Sequence, residues 1–180
     1  ILLCELAAYL HNKDMEINVW DRIIAFEGRM HEFIKAAYDY QDNTFHSHPG
    51  YYIDYFEMRL AQLQVLHNLH YEIKKIRKMP KQALVIADYI MYMADYVVEM
   101  NIPDQQIEKL EEISEQMKQE ELPKTREEFE GRALLYHILM DLEEFLVYKK
   151  RFVNGLDEKK LRIYWKQEME QKDSANELQK

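Results

Sequence analysis

Cysteine is almost missing from this chain: Cys4 is its one thiol in 180 residues, so no intrachain disulfide can form. The fold must hold by burial, for which the length is sufficient. Glycine and proline occur four times each, which excludes collagen-like and low-complexity chains and disfavours turn-rich β architectures. Serine is equally scarce: Ser47, Ser114 and Ser174 include no nucleophile elbow, and no glycine-rich phosphate loop is present. No apolar run approaches the roughly 20 residues that span a bilayer, and no secretory signal opens the sequence. Basic residues are in deficit, 24 against 33 acidic ones, and the net charge of −9 repels phosphate, so nucleic acid is not an expected partner. The notable basic run, Lys74-Lys75-Ile76-Arg77-Lys78, ends a predicted helix, where cations offset the helix dipole.

What the chain does have is apolar and helix-forming. Apolar residues make up 47% of it, with Leu, Glu, Lys, Met and Tyr abundant. The expected fold is all-α, an antiparallel bundle of about five principal helices plus a short C-terminal one. A first helical region covers about 1–43, with a possible break near Asn12 to Asp14, and carries Trp20, Ile23, Ile24, Phe26, Met30, Phe33, Ile34 and Ala37 at threes and fours. The second, about 51–78, carries Phe56, Leu60, Leu63, Leu66, Leu69, Ile73 and Ile76. Pro80 suits the first turn of a third, running to about Asn101. The fourth, about 104–120, has the narrow stripe Ile107, Leu110, Ile113 and Met117 on a charged rod.

Thr125 and Glu128 form a capping box at the start of the fifth helix, with Pro123 just ahead. Leu135, Ile138, Leu139, Leu142, Phe145 and Leu146 line one face of it, while Glu130, His137, Asp141 and Glu144 take the other. Asn154-Gly155 ends this helix, and Asp157 can cap a shorter sixth that contains Leu161, Tyr164, Trp165 and Met169. The opening, ILLCELAAYLHNK, lacks a methionine and starts inside an apolar-periodic segment, as expected of a piece cut from a longer chain whose neighbour lies on the N-terminal side.

Catalytic spacings fail one after another. None of the seven histidines follows a glutamate by three, as di-iron helix pairs require, and His31-Glu32 continues as Phe33, Ile34, Lys35 rather than toward a second zinc ligand. The chain is therefore expected not to be an enzyme and to need no cofactor. His67 and His70, three apart on a helix, are a candidate metal pair, and His46 and His48 flank Ser47 in a loop. Tyr89, Tyr92 and Tyr96 form a stripe that can stack an aromatic ligand or fill a helix interface; Asp88 and Asp95 beside it oppose an aromatic carboxylate, and the domain is not expected to hold aromatic acids tightly. The same helix is apolar nearly all round, which makes Tyr89, Met93 and Tyr96 candidates for a surface of self-association.

Three stretches carry a family likeness: YYIDYFEMRLAQLQVL at 51–66, MPKQALVIADYI at 79–90 and LPKTREEFEGRALLYHILMDLEEFLVYKKRF at 122–152. They resemble the C-terminal domain of the putative aromatic acid exporter family of bacterial membrane proteins. The resemblance runs over about 1–152 and leaves 153–180 as a helical extension with a frayed end. It implies a helical domain on the cytoplasmic face of the membrane, an N-terminal transmembrane portion of the same protein as its partner, and no catalytic residues. A non-catalytic accessory or regulatory role, through self-association or contact with the membrane portion, is the expected function; a ligand- or metal-sensing bundle is the alternative.

Overall fold

Three of the four prolines, and Gly155, stand at helix ends. The computed structural model describes residues 1–11, 19–43 and 49–165. Among these it contains seven helices and no strand: α1 (Leu2–His11), α2 (Val19–Asn43), α3 (Pro49–Lys75), α4 (Ala83–Ala94), α5 (Asp104–Lys118), α6 (Arg126–Asn154) and α7 (Glu158–Tyr164). Pro49 opens α3, Pro103 is the N-cap of α5, Pro123 precedes the cap of α6, and Gly155 is its C-cap. The expected all-α class is what forms. His46, His48 and Met169 lie outside the described residues.

The first helical region is two helices, α1 and α2, one on either side of the break read near Asn12 to Asp14. Two boundaries differ from those read in the sequence. The third helix ends at Ala94 rather than near Asn101, although apolar residues continue to Val98. There the N–H groups of Asp95, Tyr96 and Val97 turn to the carbonyls of Tyr92, Met93 and Ala94, the 3₁₀ tightening that satisfies a helix end. Pro80 also lies outside α4: Ala83 N–H donates to its carbonyl at 3.0 Å in a turn ahead of the helix, where a missing proline N–H leaves nothing unpaired.

The cap of α6 forms with one variation. Thr125 has extended backbone, and its hydroxyl accepts from Glu128 N–H at 3.1 Å. The Glu128 carboxylate reaches past the cap to Lys124 N–H at 2.9 Å and also takes Arg132 at 2.6 Å. The backbone donor first, and then Arg132, hold Glu128 below the ordinary carboxylate range.

Contacts running in opposite order along two chains show the packing to be antiparallel. From the N-terminal end of α3, Tyr51 meets Phe152, Gln62 bonds the Phe145 carbonyl, and Glu72 acts on Asp141, so α3 and α6 run oppositely. Trp20 against His67 and Phe33 against Phe56 set α2 antiparallel to α3. Lys150 with Asp104 and Arg132 with the Glu121 carbonyl do the same for α5 and α6. Between them lies one main core, into which α1 inserts Leu6, Ala7 and Leu10, α4 inserts Ile86, Ala87 and Ile90, and α6 its whole expected stripe from Leu135 to Leu146. The α2 stripe is only partly used: Ile23 is buried, whereas Trp20, Ile24 and Phe33 remain exposed.

A second, smaller cluster closes the other end of the α3–α6 seam. Tyr51, Met58, Phe152 and Trp165 are buried together, with Tyr55 packed against them. Trp165, just past α7, donates its indole N–H to the Tyr51 hydroxyl at 3.0 Å, and that hydroxyl donates to Glu99 at 2.8 Å. The described part of the C-terminal extension thus folds back onto the bundle.

At Gly131, α6 passes so close to the turn before α4 that an added Cβ would stand 2.9 Å from the Pro80 ring and 3.3 Å from the Lys78 carbonyl. Neither neighbour is a flexible side-chain end. Gly28, midway along α2, has nothing within 4 Å of such a Cβ. The two glycines should therefore respond oppositely to alanine. Gly131→Ala is expected to lose stability, overpacking of about 1–3 kcal/mol outweighing the helix gain, whereas Gly28→Ala should gain about 0.5–1 kcal/mol. Chemical denaturation of both variants measures this, and equal shifts of the same sign would contradict the close approach at Gly131.

Candidate functional site

The tyrosine stripe is assembled, but as packing. Tyr89 is buried and donates its hydroxyl to the Gln106 carbonyl at 2.7 Å, and burial pushes its ionisation well up. The Tyr92 ring carries Lys109 at 3.9 Å, and Tyr96 follows at the surface with ring centroids 5.0 Å from Tyr92. Helix α5 covers the stripe that a stacked ligand would need. Met93, at 0% exposure, belongs to the core, so of the three residues considered for self-association only Tyr96 reaches the surface.

His67 is half-buried and His70 buried. The His67 ring sits edge-on to Trp20 at 4.5 Å with Gln64 at 3.3 Å from Nδ1. His70 is buried, and desolvation, with Lys74 and His67 adding repulsion, lowers its pKa. Among the described residues no three His, Cys, Asp or Glu side chains form a group able to hold a metal ion.

His67 instead lines an open polar cleft of about 430 Å³ between α3 and α6, together with Asn68, Tyr71, Glu72, His137 and Asp141. Asp141 was expected on the solvated face of α6. It is half-buried, its Oδ2 has no hydrogen-bond partner, and its pKa is raised to about 6, mainly by desolvation and then by Glu72 and Glu144, with His137 opposing.

The larger apolar opening lies on the other side of α3. A cavity of about 450 Å³ is walled by Leu2 and Leu3 of α1, Phe26 and Met30 of α2, Tyr55, Phe56, Leu63 and Leu66 of α3, Ala94 and Val97 at the end of α4, and Phe145 of α6. Among the described residues one charged side chain faces it, Arg59. Its Nε donates to the Tyr55 hydroxyl at 3.0 Å and its Nη1 to Gln62 Oε1 at 2.8 Å. Gln62, 3% exposed, is itself fixed because its Nε2 donates to the Phe145 carbonyl at 2.7 Å. The guanidinium also lies 5.1 Å from the centroid of the Tyr55 ring. The arrangement offers binding chemistry: apolar walls around one oriented cation. Sequence reasoning passed over Arg59. Its signal was a charged residue set within an apolar helical face, four after Tyr55, three after Phe56 and four before Leu63.

The seven helices among the described residues, with no strand beside them, make this an all-α domain. The chain belongs to the family of the putative aromatic acid exporter C-terminal domain, whose model matches residues 1–150. It is similar to the uncharacterized protein YqjA of Bacillus subtilis (strain 168), 32% identical over 98 residues that make up 54% of this chain and 30% of that protein. The chain thus spans under a third of that relative's length. It is similar also to the crystal structure of a putative membrane protein from Clostridium difficile 630, with a TM-score of 0.74 and 26% identity over 84% of this chain and 90% of the other. No helix among the described residues is long and apolar enough to cross a membrane.

Asp141 yields a pH prediction. Because its folded pKa of about 6 stands above the ordinary carboxylate value of 3.8, the folded state binds more protons between those limits. Its contribution to stability therefore grows as pH falls through 6 and is unfavourable at pH 7. Asp141→Asn should add about 1 kcal/mol at pH 7, screening by solvent considered, and flatten the stability profile between about pH 6 and 4. Urea denaturation at pH 7 and 5 tests it; an unchanged pH slope would mean that Asp141 is fully solvated.

Proposed function

We propose that this chain is a non-catalytic regulatory domain on the cytoplasmic face of a membrane exporter, sensing a small ligand and passing its occupancy to the membrane portion. One observation carries the reading: Tyr55 is both a wall of the apolar cavity and a member of the aromatic cluster that holds α7 and Trp165. A ligand that displaces Tyr55 acts on the docking of α7, and an element with two positions is what a regulatory domain requires. The family and the likeness to a putative membrane protein supply the exporter context. In the whole exporter, removing the segment from Leu156 onward is expected to change efflux of an aromatic acid by about fivefold or more, the low end of ordinary coupling energies. Efflux indistinguishable from the intact protein at equal membrane abundance would defeat the reading.

Pairing between two copies is a second reading, favoured by the outer face of α4. Leu84, Val85 and Met91 are each more than 40% exposed there, and Val98 just beyond α4 is too. These residues, rather than Met93, would meet a partner. Sedimentation should then show a dimer that Met91→Glu dissociates with helical content intact; a monomer throughout a series up to about 100 µM, weak for a specific pair, would exclude pairing by this chain alone.

A further inference from the structure

We infer that the outward face of α6 docks a second copy of this chain, the two α6 helices lying antiparallel across a two-fold axis. This goes beyond the sensing reading and does not rest on it, and the surface is distinct from the outer face of α4.

Helical geometry sets the stripe. Phe129, Ala133, Tyr136 and Met140 recur at four, three and four, the spacing of a seam between two helices. At about 100° per residue they lie on the side of α6 opposite Leu135, Ile138, Leu142 and Phe145, which hold the helix to the core. All four are exposed, Phe129 and Met140 by more than 60% each. Three large apolar side chains and an alanine in one line, on the longest helix among the described residues, form a continuous patch rather than scattered exposure. The stripe is turned about 150° from Phe145, and so faces away from the apolar cavity which that residue lines.

Charge selects the occupant and its direction. Arg126 stands three residues before the stripe, and Glu143 and Glu144 stand three and four after it. The two ends of the stripe are therefore opposite in sign, and the surface is complementary to its own reverse. A two-fold axis crossing α6 between Leu134 and Leu135 brings Phe129 level with the partner's Met140 and Ala133 level with the partner's Tyr136. The same axis sets Arg126 level with the partner's Glu143 and beside the partner's Glu144, and Glu130 within a turn of the partner's His137.

The layers match in size as well. Ala133 leaves room for a tyrosine ring, and a flexible thioether packs on the Phe129 ring. Two copies of net charge −9 repel each other, so a pairing face has to balance its charges locally, and this one does so at both ends. A parallel pair would set Arg126 against the partner's Arg126 and each glutamate against its own counterpart, like charges at both ends. Arg126 is nearly fully exposed, and its bond to Glu130 at 3.1 Å contributes little in water, so an acid on the partner can engage it.

Sedimentation from about 1 to 100 µM, followed by directed crosslinking, tests the assignment. A dimer is expected, weakened at least about tenfold by Met140→Glu or by Arg126→Glu with the helical spectrum unchanged, the effect of a contact turned repulsive. Adding Glu144→Arg to Arg126→Glu should restore part of the affinity, which a merely structural loss would not allow. Met91→Glu on α4 should leave this dimer intact. With Cys4→Ser as background, Phe129→Cys chains mixed with Met140→Cys chains should give a covalent heterodimer under diamide. Neither should crosslink alone, because each cysteine would stand about 16 Å along the axis from its own counterpart, beyond the reach of a disulfide. A monomer at every concentration, or a homodimer crosslinked through Phe129→Cys alone, overturns the inference. Dissociation by Met91→Glu with Met140→Glu silent also overturns it and places the pair on α4. Should Met140→Glu fail to fold, the crosslinks decide. The efflux experiment judges the sensing reading separately.

Discussion

The antiparallel seam between α3 and α6 is the contact on which the other helices depend. These are the longest helices among the described residues, and the seam changes character along its length. At one end it is aromatic, where Tyr51 and Phe152 lie under Trp165. In its middle Gln62 reaches across to the Phe145 carbonyl. At the other end it opens into the cleft with Glu72 and Asp141. A seam of three zones can fix only one register, because sliding by a turn would set Gln62 without an acceptor and bring carboxylates toward the apolar middle.

That register also positions the cavity. Arg59 is oriented by Gln62, and Gln62 by α6, so the direction of the guanidinium follows from the packing of the two helices rather than from its own rotamer freedom. Helices α1 and α2 then complete the walls with Leu2, Leu3, Phe26 and Met30. The polar cleft lies farther along the same seam, and its half-buried Asp141 is a group whose charge the protein disfavours.

Sequence periodicity carried the fold a long way. The α6 stripe from Leu135 to Leu146, the α5 stripe and the Thr125 cap all formed as the spacing required, because each is decided within one or two turns of helix. The end of α4 was less legible: Val97 and Val98 continue the apolar pattern, and only the 3₁₀ bonds at Asp95 to Val97 stop the helix. The candidate site was least legible of all. Periodicity assigns residues to a core face but cannot say which core positions face a void, and Arg59 acquires meaning only when α1, α2, α4 and α6 surround it. Tyr89, Met93 and Tyr96 misled for the same reason: a helix apolar all round looks alike in sequence whether its cover is α5 or a second molecule.

The placement of Trp165 gives the molecule a built-in optical contrast. The chain has two tryptophans. Trp165 is 3% exposed under α7, with its indole N–H bound to Tyr51, whereas Trp20 is 43% exposed on α2 beside His67. One chromophore reports the polarity around the C-terminal strap and the other the outer face of the bundle, so emission from the two separates the docking of α7 from the integrity of the helices beneath it.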